Sequence, residues 1–231
     1  MEVIILAGGK GSRLKAIVND RPKPMANING RPFLDYLLEY LWQQNIRRVI
    51  LSVGYKHQLI KEFFGNRYRT MQIVYSIEEN PLGTGGAIRL AFNSVKDDFV
   101  LIMNGDTFFK VDLLLLKKYH ISKEADVTIA LKFLENSSRY GGVELSDNNR
   151  ITIFREKERG RKGYINGGVY LLNRHFFQQS GILKPFSFEK DYLECKVGSH
   201  KFYGFISDGY FIDIGIPEDY TKAQKEVADY L

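Results

Sequence analysis

The chain opens with an apolar run, Glu2-Val3-Ile4-Ile5-Leu6-Ala7, that breaks straight into Gly8-Gly9-Lys10-Gly11-Ser12-Arg13 and is followed by Arg21-Pro22-Lys23-Pro24-Met25. A buried strand that ends in glycines leaves a concave row of backbone N–H groups unused by any ladder, and such a row suits a polyphosphate. Arg13 and Lys23 place two cations where they reach the same oxygens. The glycines alone describe an ordinary tight turn equally well. Together with two cations at this spacing, one of them between prolines, they favour phosphate. The familiar nucleotide motifs do not fit. Gly9-Lys10-Gly11 is followed by Leu14 where a Rossmann fingerprint needs its third glycine, and no Walker A string occurs. A dehydrogenase and a P-loop NTPase are thereby disfavoured.

Further chemistry lies downstream. Asp106 follows the apolar run Val100-Leu101-Ile102-Met103, and Asp213 follows Phe211-Ile212. Each alone is explained by a turn or a helix cap. Beside a phosphate cradle the pair reads better as a Mg²⁺ site, because that ion takes one or two carboxylates plus substrate phosphates. Pro81-Leu82-Gly83-Thr84-Gly85-Gly86 lets backbone approach a flat ligand such as a nucleobase, although a helix start with Thr84 as its cap explains the stretch equally well. Glu156-Lys157 suits a clamp on a second anion; by itself it is an exposed ion pair of little energetic worth. Asn166-Gly167-Gly168 inside a strand pattern marks a bulge or a close backbone approach. Ser187-Phe188-Glu189-Lys190-Asp191 is a capped helix start that structure alone accounts for. The histidines at 57, 120, 175 and 200 are scattered and read as surface or structural residues, and no nucleophile–histidine–acid arrangement appears.

These residues must be carried by strands and helices, and the alternation is regular through the first half. Strands are expected over 48–53, 71–77, 99–103 and 125–132, with helices from Phe33 to about Asn45 and over 57–64, 85–92 and 111–120. That pattern predicts a doubly wound, mostly parallel α/β sheet, whose ligands bind outside the carboxyl ends of its strands. The second half changes to strands over 142–145, 150–154 and 164–172, expected as antiparallel additions, with further strands over 201–206 and 210–212. Helices are expected near 174–179 and 187–196 and from Pro217. No linker or repeat divides the 231 residues, so one domain is expected, in two halves that meet near residue 110.

With 44% apolar residues the chain is globular, and its single cysteine excludes a disulfide framework or a cysteine-rich zinc site. The net charge of +6 is dispersed, which suits small anionic substrates at least as well as nucleic acid, and no nucleic-acid partner is expected. No apolar run approaches membrane-spanning length, and the chain begins directly on a strand pattern. A cytoplasmic protein without a membrane partner is expected. Oligomeric state stays open, with the aromatic-rich second half offering a homodimer surface.

The assembled set resembles the sugar-phosphate nucleotidyltransferases. The likeness rests on Leu6-Ala7-Gly8-Gly9-Lys10-Gly11-Ser12-Arg13-Leu14 with Pro22-Lys23-Pro24-Met25, and continues in order through Leu82 to Gly86, Asn104-Gly105-Asp106, Tyr140-Gly141, Glu156-Lys157, Asn166 to Tyr170, Ser187 to Asp191 and Phe211 to Gly215. Within the family the wording is most similar to the branch that joins GTP to a manno-heptose 1-phosphate for bacterial surface polysaccharides. The resemblance implies a nucleoside triphosphate and a sugar 1-phosphate as substrates, with an NDP-sugar and pyrophosphate as products, the half to about residue 110 binding the nucleotide and the half from about 111 to 231 the sugar phosphate. It implies that Leu6, Ala7, Gly8, Gly9, Gly11 and Ser12 hold the nucleotide, that Arg13 meets the departing pyrophosphate and that Lys23 meets the reacting phosphates. Gly83 and Thr84 would approach base and ribose, and Asp106 and Asp213 would hold Mg²⁺. Lys157 would meet the sugar phosphate, with Asn104, Gly141, Glu156, Asn166 and Gly167 at the sugar. Ser12 stands where threonine is common and keeps the hydroxyl, whereas Ile216 stands where threonine is usual and offers none. Gly85 and Gly167 stand where alanine is frequent, an exchange expected to widen the pockets. The chain ends one helix past Asp213, so no β-helix tail is expected. Mannose- or glucose-1-phosphate with another base is the alternative within this chemistry. A non-catalytic nucleotide-sugar-binding regulator and a metal-dependent glycosyltransferase are the alternatives outside it. The latter usually wants a D-x-D pair, and Asp106-Thr107-Phe108 offers one carboxylate.

Overall fold

The computed structural model describes residues 1–9, 21–137, 139–155, 162–178, 181 and 185–231. The roles expected of Gly11, Ser12, Arg13, Glu156 and Lys157 fall outside these residues. Strand β1 (Glu2–Leu6) comes first, followed by a 3-10 turn at Lys23–Met25 and a small hairpin of β2 (Asn27–Ile28) and β3 (Arg31–Pro32). Helix α1 (Phe33–Gln43), β4 (Arg48–Val53), α2 (His57–Phe64), β5 (Arg67–Tyr68) and β6 (Met71–Ile77) lead to α3 (Gly83–Ala91). Then come β7 (Phe99–Asn104), β8 (Thr107–Phe109), α4 (Leu113–Ser122), β9 (Val127–Leu134), β10 (Gly142–Leu145), β11 (Ile151–Arg155) and β12 (Gly163–Asn173). The chain finishes with α5 (Arg174–Gln178), a π-helical turn at Phe188–Glu194, β13 (Phe202–Ile206), β14 (Phe211–Asp213) and α6 (Pro217–Glu226).

The parallel centre runs β7-β1-β4-β6. From β1 the chain builds outward through β4 and β6, then returns to place β7 on the other side of β1. The order therefore reverses between β1 and β7, and a cleft opens outside the carboxyl ends at such a reversal. The register aligns Leu6 with Asn104 on one side and with Ser52 on the other, so the three strands end together.

The second half does more than add to an edge. Strand β12 lies antiparallel against β7 in the middle of the sheet and carries β9 and β10 beyond it. Strand β13 joins β9 in parallel. The register of β12 shifts between Asn166 and Tyr170, and Gly168 takes a φ of +71°, a conformation that favours glycine.

Alternation along the buried strands divides the core between two faces. Val3 and Ile5 of β1 pack with Phe33 of α1, Leu116 of α4 and Ala223 of α6. Ile4 packs on the other face with Ile88 of α3 and with Phe188 and Tyr192 of the π-helical turn. No described helix is long and apolar enough to cross a membrane.

Candidate active site

Two cavities adjoin at the strand reversal. The larger, about 890 Å³, is walled by Leu6, Gly8 and Gly9 at and beyond the end of β1, by Ser52 and Gly54 at and beyond the end of β4, by Glu78 and Glu79 after β6, and by Gly83 and Thr84 at the start of α3. The smaller, about 270 Å³, is walled by Tyr140, Gly141, Asn166, Gly168 and Asp213, with Arg139 at its side. Asn104, Asp106 and Glu189 belong to both walls.

The junction is built by short elements. The Asn104-Gly105-Asp106 turn docks on the end of β1, where the Gly105 N–H donates to the Leu6 carbonyl at 3.0 Å. Strand β8 leaves that turn and pairs antiparallel with β14, with Thr107 opposite Asp213. The Ile214 N–H donates to the Asp106 carbonyl at 3.0 Å. This ladder brings together two aspartates more than a hundred residues apart. Lys23 enters from the 3-10 turn and is 9% exposed. Its Nζ donates to Asp106 Oδ2 and lies 3.6 Å from Asp213 Oδ1. The Gly215 N–H donates to the same Asp213 oxygen at 2.7 Å. Helix α6 then clasps the β2–β3 hairpin that follows Lys23: Gln224 Nε2 donates to the Asn27 carbonyl at 2.7 Å, and the Asn29 N–H donates to Gln224 Oε1 at 2.8 Å. The lysine and Asp213 are thus held from opposite ends of the chain.

Asp106 and Asp213 converge on one ammonium group, so the structure already gathers opposite charge at a point between the cavities. Two carboxylates open to the cavities on either side are a donor set that suits Mg²⁺ shared with substrate phosphates. Among the described residues there is no richer acidic or histidine cluster that would hold a metal by itself.

Glu78 faces the larger cavity. Its Oε2 accepts the Leu82 N–H at 3.1 Å, and burial pushes its carboxyl pKa up. Ser52 Oγ is buried in the same wall with no hydrogen-bond partner among the described residues. In the smaller cavity, burial and the nearby Asp213 carboxylate push Tyr140 up to about 12, so its hydroxyl stays a donor at neutral pH. Arg139 Nη2 donates to Asp219 Oδ2 at 2.6 Å, its guanidinium lying over the Tyr140 ring.

Leu6, Gly8, Gly9, Lys23, Gly83, Thr84 and Asp106 line the larger cavity, and Asn104, Gly141, Asn166 and Asp213 the smaller. Ala7 is buried with its N–H on the Ser52 carbonyl, and Gly167 turns away from the cavity. Three readings change. Thr84 is not a cap: its hydroxyl donates to Glu189 instead, and α3 starts without a side-chain cap. Gly85 and Gly167 do not widen pockets. A Cβ on Gly85 would come within 2.1 Å of the Phe186 ring and one on Gly167 within 2.4 Å of the Phe109 ring, so both glycines admit packed aromatics. Ile216 precedes α6 without any side-chain cap, as its lack of a hydroxyl leads one to expect. Sequence reasoning missed Arg139, Ser52 and the place of Glu189. For Ser52 a signal was present, a lone hydroxyl at the carboxyl end of an apolar parallel strand.

A phosphate-suited strand end, a buried lysine between two aspartates and a second polar cavity beside it define a group-transfer enzyme that holds two anionic substrates across an α/β sheet. Residues 2–230 match the nucleotidyl transferase family, and the chain belongs to it. It is 53% identical over its whole length to the D-glycero-alpha-D-manno-heptose 1-phosphate guanylyltransferase of Aneurinibacillus thermoaerophilus, which it also covers completely. It is 46% identical to the protein of the same name from Campylobacter jejuni subsp. jejuni, over 95% of this chain and 97% of that one. Among solved structures, HddC from Yersinia pseudotuberculosis complexed with GMP-PN superposes with a TM-score of 0.87 at 37% identity, over 97% of this chain and 98% of that one.

Proposed function

We propose that the protein joins GTP to D-glycero-α-D-manno-heptose 1-phosphate, giving GDP-heptose and pyrophosphate. The observation that carries the transfer chemistry is the pair of cavities meeting at Lys23, Asp106 and Asp213. A triphosphate in the larger cavity and a sugar 1-phosphate in the smaller bring the α-phosphorus and the attacking phosphate oxygen to this junction. That oxygen is anionic at neutral pH, so no general base is required. It attacks in line, and pyrophosphate leaves on the opposite side. The protein's task is to hold two mutually repelling anions together and to neutralise charge as it shifts. Lys23 serves the reacting phosphates. Arg13 is assigned to the departing pyrophosphate and Lys157 to the sugar phosphate. Asp106 and Asp213 would hold Mg²⁺, which supplies charge neutralisation at the phosphates.

The choice of heptose and GTP is supported by the named relatives, which match this chain along its whole length. For the base it is supported further by Glu78, since guanine offers an N1–H and an exocyclic amine to a carboxylate acceptor. Adenine presents an acceptor at the same ring position, against which a carboxylate is repelled. Pyrophosphate release measured over five nucleoside triphosphates and several sugar 1-phosphates, heptose included, tests the assignment. GTP with the heptose phosphate is expected to lead. A clear lead by another pair replaces the assignment. Glu78→Gln should cost GTP about tenfold or more in kcat/KM and spare ATP, the discrimination expected of a paired acceptor. An equal loss for both nucleotides would remove Glu78 from base selection.

A further inference from the structure

Glu189 borders both cavities, and the transfer chemistry leaves it without a task. It stands at the start of the π-helical turn, and π-helical geometry is frequent at functional sites. Its carboxylate is divided between the cavities. Oε2 accepts the Thr84 hydroxyl at 2.7 Å, and Oε1 accepts the Tyr170 hydroxyl at 3.3 Å. Thr84 lines only the nucleotide cavity and Asn166 only the sugar cavity, and Asn166 Nδ2 donates to the Tyr170 oxygen at 2.7 Å. A continuous hydrogen-bonded path therefore runs Thr84–Glu189–Tyr170–Asn166. Its middle is firm. Tyr170 is fully buried and sits edge-on to Phe188. The loop that carries Thr84 is clamped to the same segment, with the Gly85 N–H on the Phe186 carbonyl at 3.0 Å and the Phe188 N–H on Thr84 Oγ1 at 2.8 Å.

We propose that Glu189 is a positioning residue that couples the two substrate cavities, so that a nucleotide fixing Thr84 improves the placement of Asn166 for the sugar phosphate, and the reverse. The proposal rests on the assignment of the cavities to nucleotide and sugar phosphate. Coupling between binding sites is reciprocal and typically amounts to fivefold or more in affinity. Both hydroxyls donate to Glu189, so both its oxygens act as acceptors. A glutamine has one acceptor oxygen and its amide nitrogen cannot accept, so one of the two hydroxyls loses its acceptor and must turn its proton elsewhere, which weakens that arm of the path.

Calorimetric titration of the full chain with a non-hydrolysable imido analogue of GTP, and separately with heptose 1-phosphate, tests this through effects that cross between cavities. Thr84→Val, which touches no wall of the sugar cavity, should weaken the sugar phosphate about fivefold. Tyr170→Phe, which lies outside the nucleotide cavity, should weaken the analogue about fivefold. Both cross-effects should vanish in a Glu189→Gln background. A merely structural role would lower the melting temperature without this reciprocity. Should Tyr170→Phe fail to fold, the change in the analogue's Kd on saturating the protein with sugar phosphate is compared between wild type and Glu189→Gln, and a smaller change in the variant is expected. Variants that weaken only the ligand of their own cavity, or an undiminished ligand-on-ligand change in Glu189→Gln, would overturn the coupling while leaving the function intact. Failure of wild type to bind either probe would overturn the functional assignment itself, and the coupling with it.

Discussion

The junction residues divide their work by charge. Lys23 is nearly buried and needs both aspartates as partners, since an unpaired ammonium at that depth is costly to keep out of water. The same two carboxylates reach one ammonium, Asp106 from the wall shared by both cavities and Asp213 from the smaller one. Removing one leaves the lysine with the other, so Asp106→Asn and Asp213→Asn should fold. Each should reduce turnover by about a hundredfold or more, the scale at which a single charge-stabilising group counts. Pyrophosphate release, with melting as the control, checks this; near-native turnover would strip the pair of its role. His120 makes a different case. Its Nδ1 lies 2.8 Å from Thr128 Oγ1, and burial lowers its pKa to about 4. An unfolded histidine binds its proton near pH 6.5, so between pH 6.5 and 4 the unfolded state holds the extra proton and stability falls as pH falls. The shift corresponds to about 3 kcal/mol at most. Urea unfolding across that window should show a steeper loss for wild type than for His120→Phe, and equal slopes would refute the assignment.

At the scale of elements, periodicity and breakers told most of the fold. The apolar runs that became β4, α2, β6 and β10 ended where their patterns ended, because each buried face is written locally. What stayed hidden was pairing. Strand β8 has three residues, too few for any pattern, and the strand expected over 210–212 carried no sign of its partner, yet the β8–β14 ladder is what brings Asp213 to Asp106. The capping signal of Ser187 is real, its hydroxyl accepting the Lys190 N–H, and because a cap accounts for the whole stretch nothing local marks Glu189 as a cavity residue. The role of Gly85 is hidden for a related reason, since nothing local announces that Phe186, a hundred residues on, fills the space above it. Gly85→Ala should therefore push Phe186 and the Ser187–Glu189 start of the π-helical turn off the α3 loop. Overpacking of this kind costs about 1–3 kcal/mol. The melting temperature should drop and the nucleotide KM should rise together. Phe186→Leu in the same chain, which vacates the ring, should restore much of both. A Gly85→Ala protein of native stability and KM would show that the loop yields freely.

For the whole molecule, composition and alternation pointed to one α/β domain. The arrangement of its halves was beyond reach, because a chain pattern does not say that β12 will lie against β7 instead of at an edge. That placement has a consequence for stability. The strand carrying Asn104 is flanked by β1 of the first half and β12 of the second, and each core face draws on both. Val3 shares a cluster with Leu171 and Ala223, and Ile50 shares the other with Tyr170 and Phe202. Neither half keeps a closed core without its partner. At 231 residues the chain exceeds the size at which all-or-none unfolding is usual. The interleaving nevertheless predicts a single transition. Trp42, the one tryptophan, reports from α1 in the first half, where Arg69 lies over its ring at 4.3 Å and Thr70 accepts its indole N–H at 3.1 Å. Far-UV ellipticity reports on both halves at once. In urea the two signals should fall at one midpoint with one slope. A fluorescence transition that precedes the loss of ellipticity would mean that the first half opens alone, and that the cavities are joined by contact and not by a shared core.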